Sequence, residues 1–179
     1  MITVYEIDPT HTYAGFVVRH MMVTQQRGQF HEITGTLALD RQDLSRSRVE
    51  ASIAVASIDT NVAQRDEHLR GPDFFDAAGH PTMTFVSREI RVAEDGQLRV
   101  AGDLTIRGTT RTVVLEADPV SAESKDPFGM IKVGTSASTK ISRKDFGLVW
   151  NAVLETGGVA VGDEVKIVLD LQFQRKPSA

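Results

Sequence analysis

Apolar and polar residues alternate with a period of two over most of the chain, the mark of strands with one buried and one wet face. The clearest run sets Val165, Ile167, Leu169, Leu171 and Phe173 against Lys166, Asp170, Gln172 and Gln174. Leu98, Val100, Leu104 and Ile106 alternate with Arg99, Asp103 and Arg107. Val133, Thr135, Ala137, Thr139 and Ile141 alternate with Lys132, Ser136, Ser138 and Lys140, and Val49, Ala51, Ile53 and Val55 with Glu50, Ser52 and Ala54. Less regular runs over 13–21, 30–39, 82–90 and 113–117 bring the expected count to about eight strands. Turn residues punctuate them. Glu94-Asp95-Gly96 carries the Asp-Gly hairpin signal, and Gly108-Thr109-Thr110, Asp126-Pro127-Phe128-Gly129 and Gly157-Gly158 supply further breaks. One helix is predicted over 61–70, with Asn61 as N-cap, Gln64 three residues on, and Gly71-Pro72 as the stop.

About eight antiparallel strands can manage their edges by closing into a barrel. A barrel of that size either fills its interior with side chains or holds one small ligand. Ala51, Ser57, Thr135, Ala137 and Thr139 stand where a packed interior would want Leu or Phe, which favours a cavity. The competing arrangement is a two-sheet sandwich in which these small residues oppose large ones such as Phe85 and Phe173. Either way the fold class is all-β. No Pro-rich linker or repeat divides the chain, so 1–179 reads as one domain.

Composition narrows the function. The chain has 179 residues, 41% hydrophobic and 25% charged, with a net charge of −4, which fits a globular domain with a sizeable core. An acidic chain without a concentrated basic face is a poor nucleic-acid binder. No apolar run reaches the ~18 residues of a membrane-spanning helix. The first residues, Met1-Ile2-Thr3-Val4-Tyr5-Glu6-Ile7-Asp8, have no signal-peptide pattern, and the expected compartment is the cytoplasm. Zero Cys removes thiolate chemistry, and His11, His20, His31, His68 and His80 lack metal-ligand spacing, so no metal is expected.

Candidate chemistry concentrates in Arg65-Asp66-Glu67-His68-Leu69, followed by Asp73-Phe74-Phe75-Asp76 and His80-Pro81. Asp66 and His68 could serve as an acid–base pair on a hydrophobic substrate. The structural reading is a clamp, with Asp66 and Arg70 as an i, i+4 ion pair and Phe74-Phe75 plugging a barrel end. Arg143-Lys144-Asp145-Phe146-Gly147-Leu148 leads to the lone Trp150, and Phe146, Leu148 and Trp150 alternate as if on a strand.

These stretches resemble the YceI-like family, a lipocalin-like group linked to polyisoprenoid binding. The matching segments are Asp8-Pro9-Thr10-His11, Phe16-Val17-Val18-Arg19-His20-Met21, Gly28-Gln29-Phe30, and Ala56-Ser57-Ile58-Asp59-Thr60. They continue through the Arg65 and Asp73 segments, His80-Pro81-Thr82-Met83-Thr84-Phe85, Gly102-Asp103-Leu104-Thr105-Ile106-Arg107-Gly108, and Arg143-Lys144-Asp145-Phe146-Gly147, in order along almost the whole chain. The resemblance implies a lipocalin-like barrel with an apolar tunnel, a bound polyprenyl phosphate or isoprenoid quinone, and often a homodimer.

On that basis the expected ligand-binding residues are Phe16, Val18, Arg19, His20, Phe30, Ser57, Arg65, Phe74, Phe75, Phe85, Leu104, Ile106, Thr135, Ala137, Phe146, Leu148 and Trp150. Arg19, His20 and Arg65 are the candidates for a polar mouth. Asp66, His68, Arg143 and Asp145 are expected to be structural. The leading reading is a non-catalytic carrier with no cofactor beyond its lipid. The alternatives are an enzyme using Asp66 and His68, and a stress-response protein acting through partner binding.

Overall fold

The alternating runs fold as antiparallel strands around one axis in the computed structural model, which describes residues 1–176; positions 177–179 of the expected domain lie outside the described residues. In chain order the elements are β1 (Ile2–Ile7), β2 (Tyr13–His20), β3 (Thr24–Phe30), β4 (Ile33–Asp40), β5 (Arg48–Ala54) and β6 (Ile58–Asp59). The helix α1 (Ala63–Arg70) follows, then β7 (Thr82–Val92), β8 (Leu98–Ile106), β9 (Thr109–Ala117), β10 (Ser124–Lys125), β11 (Ile131–Ser142) and β12 (Val161–Arg175). Eight of them close a ring in the order β1-β4-β5-β7-β8-β9-β11-β12. The ladder from Lys132↔Gln174 to Ser142↔Glu164 joins β11 to β12 and completes it. The molecule is therefore a closed antiparallel barrel, and the sandwich alternative is excluded.

β12 is long enough to serve two neighbours on its other edge. Its C-terminal end pairs with β1 from Tyr5↔Arg175 to Ile7↔Phe173, and its upper part pairs with β2 from Asp170↔Tyr13 to Val161↔His20. Between these ladders the chain leaves the ring at Asp8, whose N–H donates to the Gln172 carbonyl at 2.8 Å. The buried Asp8 carboxylate accepts from Lys132 Nζ at 2.8 Å, Gln172 Nε2 at 3.1 Å and the Thr10 N–H at 3.1 Å. Burial alone would raise its pKa. The hydrogen bonds from Lys132, Thr10 and His11 outweigh that and hold the carboxyl well below the usual range.

One seam of the ring is thin. β9 and β11 share only the Ala117↔Ala137 and Glu116↔Ser138 pairs. Above them side chains bridge the strands: Thr139 Oγ1 donates to the Val114 carbonyl at 2.9 Å, and Arg111 Nε to the Asp145 carbonyl at 3.2 Å. Below them residues 118–121 continue the edge, with Asp118 N–H donating to Ser136 and Ser121 N–H to Gly134, each at 2.9 Å.

Three local expectations need correction. The helix starts at Ala63 with Val62 in the N-cap position and no side-chain cap, while Asn61 sits at φ 65° in the turn before it. Asp66 supplies the missing tie from inside the helix, accepting from the N–H and hydroxyl of Thr60. It therefore does not pair with Arg70, whose guanidinium donates to the carbonyls of Ala56 at 3.0 Å and Ile58 at 3.2 Å. Phe146, Leu148 and Trp150 do not share a strand. A 3-10 turn spans Arg143–Phe146, and Gly147 leaves it at φ 78°, which is cheap only for glycine. β1, β3, β6 and β10 were not among the expected strands.

Candidate functional site

The barrel encloses an apolar cavity of about 250 Å³, and the described residues turn no polar surface toward the space. Its lining positions on β12 run from Val161 to Phe173. Twelve steps of strand cover about 40 Å, or about 30 Å along the axis at the usual barrel tilt. A volume of about 250 Å³ over that length makes the cavity narrow, and it stays open in mid-barrel because β11 and β5 present small side chains there, at Thr135, Ala137 and Ala51. Larger side chains stand at its ends.

The upper end is aromatic. Phe16 and Phe30 lie 5.7 Å apart, and Phe75 meets Phe30 edge-on at 5.8 Å. Leu69 from α1 and Phe74 from the following turn complete that wall. At the lower end Leu39, Leu44 and Val120 form the wall. Arg41 holds the Val120 segment by donating to the Ser121 carbonyl at 2.7 Å, and the Tyr5 hydroxyl donates to Glu123 at 2.6 Å.

Among the described residues Arg143 is the one charged residue on the cavity wall, and it is buried. Its guanidinium is spent on the chain: Nε donates to the Gly162 carbonyl at 2.8 Å, Nη1 to Leu148 at 2.7 Å and Trp150 at 2.8 Å, and Nη2 to Val161 at 3.2 Å. Burial lowers its pKa, and Asp163, 3.5 Å away, works in the opposite direction. Asn151 adds two bonds to Val161, from its amide to the carbonyl at 2.7 Å and from the N–H to its own oxygen at 3.0 Å. Together they fasten residues 148–162 across the upper end. The segment has little regular structure of its own, so these side chains take the place of a ladder.

The structure brings together eleven of the seventeen expected ligand residues on the cavity wall: Phe16, Val18, Phe30, Phe74, Phe75, Phe85, Leu104, Ile106, Thr135, Ala137 and Leu148. Six stand elsewhere. Ser57 closes a turn by donating to the Ala54 carbonyl, and Arg65 donates to the Thr60 hydroxyl and carbonyl. Arg19 donates to the Met22 carbonyl, and His20 is exposed at the end of β2. Phe146 is buried in the upper core, and Trp150 packs against His68 and Phe74. Thr139, expected inward, bridges to β9 instead. The polar mouth of Arg19, His20 and Arg65 thus does not line the cavity.

Asp66 and His68 are not a pair. Residues two apart on a helix do not face each other. His68 Nε2 instead meets Asp73 Oδ2 at 2.9 Å, and neither Asp66 nor His68 lines the cavity. The Asp145 carbonyl accepts from Arg111. The sequence reading omitted Leu37, Leu39, Val49, Leu169 and Leu171 from the site, though all line it. Leu169 and Leu171 already stood on the inward face of the clearest alternating run.

Comparison with known proteins agrees with this architecture. A UPF0312 protein of Staphylococcus epidermidis is 36% identical over 173 residues, covering 96% of this chain and 98% of its own. Protein YceI of Escherichia coli O157:H7 is 36% identical over 146 residues, covering 80% of this chain and 75% of its own. Among solved structures, BcnA of Burkholderia cenocepacia superposes with a TM-score of 0.81 at 25% identity, covering 93% of this chain and 98% of that one. A polyisoprenoid binding domain from Saccharophagus degradans has the same fold, with a TM-score of 0.68 at 17% identity over 97% of this chain and 99% of that one. The YceI-like domain profile matches residues 5–173, and with a cavity-bearing barrel spanning that same stretch, the chain belongs to the YceI-like family.

Proposed function

We propose that this protein is a non-catalytic carrier or store for one isoprenoid lipid, a polyprenyl phosphate or an isoprenoid quinone, held by its tail in the barrel. The observation that carries the reading is the cavity itself: long, narrow, and without polar surface. A methyl-branched hydrocarbon chain suits such a space. Each buried CH₂ contributes about 0.8 kcal/mol, so an isoprene unit of five carbons adds about 4 kcal/mol before ordering costs are subtracted. Tail length is then selected by cavity depth. The similarity to the Saccharophagus degradans polyisoprenoid binding domain supports the ligand class. Arg19, Arg65 and Arg143 are engaged with backbone carbonyls, so the tail supplies the affinity in this reading.

Native mass spectrometry of the protein purified from its own host, followed by organic extraction, tests the proposal. The expected result is one isoprenoid lipid per chain, released unchanged. The same spectrum reports whether the chain is the expected homodimer, and fractionation of the host tests the expected cytoplasmic location. Purified protein free of lipid that also fails to take up ubiquinone or undecaprenyl phosphate would overturn the carrier reading. Conversion of either lipid would replace it with an enzyme.

A further inference from the structure

The hairpin joining β2 to β3 ends in Met21-Met22-Val23, all exposed, with Met22 at 61% and Val23 at 77% of full accessibility. The Val23 N–H donates to the His20 carbonyl at 3.0 Å, and the two residues between them, Met21 and Met22, have φ of 51° and 60°. Two successive positive φ values are the geometry for which Asn-Gly is the inexpensive sequence. Two methionines here carry that backbone cost, and their flexible apolar side chains are exposed.

The tip is not isolated. The Met21 N–H donates to the Ala160 carbonyl at 2.8 Å, and the Met22 side chain lies over Gly158, where an added Cβ would meet its sulfur. Val153, bridged to Val159, is 86% exposed, and Val149 also faces out, directly after Leu148 on the cavity wall. Two loops thus form one apolar ridge at the upper end of the cavity. The hairpin side of it is basic. From Tyr13 to Phe30 the chain carries Arg19, Arg27 and His20 and no Asp or Glu, while the 148–162 loop contributes one exposed carboxylate, Glu155.

We infer that this ridge is the surface by which the protein docks on an anionic lipid bilayer, with Met21, Met22, Val23 and Val153 entering the interface and Arg19 and Arg27 facing the headgroups. An amphipathic tip with basic flanks fits a bilayer's apolar layer under a negative surface. The ridge lies over the end of the cavity where the tail of a membrane lipid would pass. The inference rests on the carrier reading, and it names the source from which the carrier is loaded.

Flotation with vesicles of equimolar phosphatidylcholine and phosphatidylglycerol tests it, alongside pure phosphatidylcholine and a high-salt arm. Wild type should float with the anionic vesicles and lose most of that binding in high salt. Met21→Asn combined with Met22→Gly installs the favoured turn sequence while deleting the apolar tip. It should melt at the wild-type temperature or above and bind about tenfold less. Arg27→Gln should bind about fivefold less.

Wild type that stays in the aqueous fraction, or a double variant that floats like wild type, overturns the inference. So does a wild-type dimer that the double variant converts to monomer, because the ridge is then covered by a second copy. Isoprenoid content is measured on the same samples. Lipid-loaded protein that does not float refutes the docking surface and leaves the carrier reading standing. Protein that floats yet neither holds nor takes up isoprenoid supports the surface and removes the carrier reading.

Discussion

Ala137→Phe separates a cavity from a filled core. Ala137 is buried at mid-strand in β11, opposite Leu169 on one side and Ala117 on the other, and packs near Ile90, Leu98 and Val100. It also lines the cavity of about 250 Å³. An apolar cavity of about 150 Å³ admits one benzene, so a phenyl ring at 137 fits and occupies most of the mid-section. Forcing a ring into a full core costs about 1–3 kcal/mol, sometimes more. Here burial of the ring contributes up to about 2 kcal/mol in the other direction, and the ligand-free variant should fall within about 1 kcal/mol of wild type. The tail loses the space beyond the ring. Excluding a single isoprene unit removes about 4 kcal/mol of gross burial, and a loss of quinone affinity greater than about 100-fold is expected. The assay is urea denaturation of delipidated protein together with fluorescence titration of ubiquinone. Destabilisation beyond about 3 kcal/mol would mean that the interior is already packed. Undiminished quinone binding at normal stability would mean that the lipid sits elsewhere.

Arg143→Met should cost about 2–4 kcal/mol, because several carbonyls lose their donor at once, and hydrogen exchange should rise across residues 148–162 while the far side of the barrel is unchanged. Asp66→Asn should lower stability by about 1.5 kcal/mol through weaker bonds to Thr60, with lipid retained and no product formed; loss of a wild-type lipid conversion at unchanged melting temperature would refute the structural role. Asp8 titrates lower in the folded chain than its ordinary 3.8, so its stabilisation is complete above that pH and fades as pH falls toward the depressed value. Asp8→Asn should therefore flatten the acid limb of the stability curve below pH 4 without altering its alkaline limb, which pH-dependent thermal melts would detect.

The strands that the alternation revealed are those with one apolar face throughout, such as β8 and β12. β3 stayed hidden because Thr24, Gln25, Gln26 and Arg27 give it no apolar phase; it branches from the ring and carries its buried residues only near Phe30. β1 stayed hidden for the opposite reason. Ile2 and Val4 are exposed while Tyr5 and Ile7 are buried, so both faces read as apolar. The aromatic part of the site was legible because large apolar side chains in a barrel have few places to go. The polar part was not. An arginine that binds a ligand and one that donates to a carbonyl look alike in a sequence, and Arg19 and Arg65 are of the second kind. Residues 148–162 show the same limit: their form depends on the Arg143 guanidinium, which has no periodic signature.

The partnering of β12 sets the order in which this chain can acquire its shape. β1, β2 and β11 each take β12 as a neighbour, yet β12 leaves the ribosome after the other eleven described strands. Until residues 161–175 emerge, β1 and β2 have one open edge each, and the two ends of the sheet cannot meet. Contacts such as Ile7↔Phe173 span nearly the whole chain, and pairings of that separation fold slowly. A nascent chain stalled before β12 would present three unpaired edges beside an apolar trough. Such edges are templates for association with other chains. Rapid synthesis of the fifteen residues of β12, or a chaperone that shields the open sheet until they pair, should therefore limit such association.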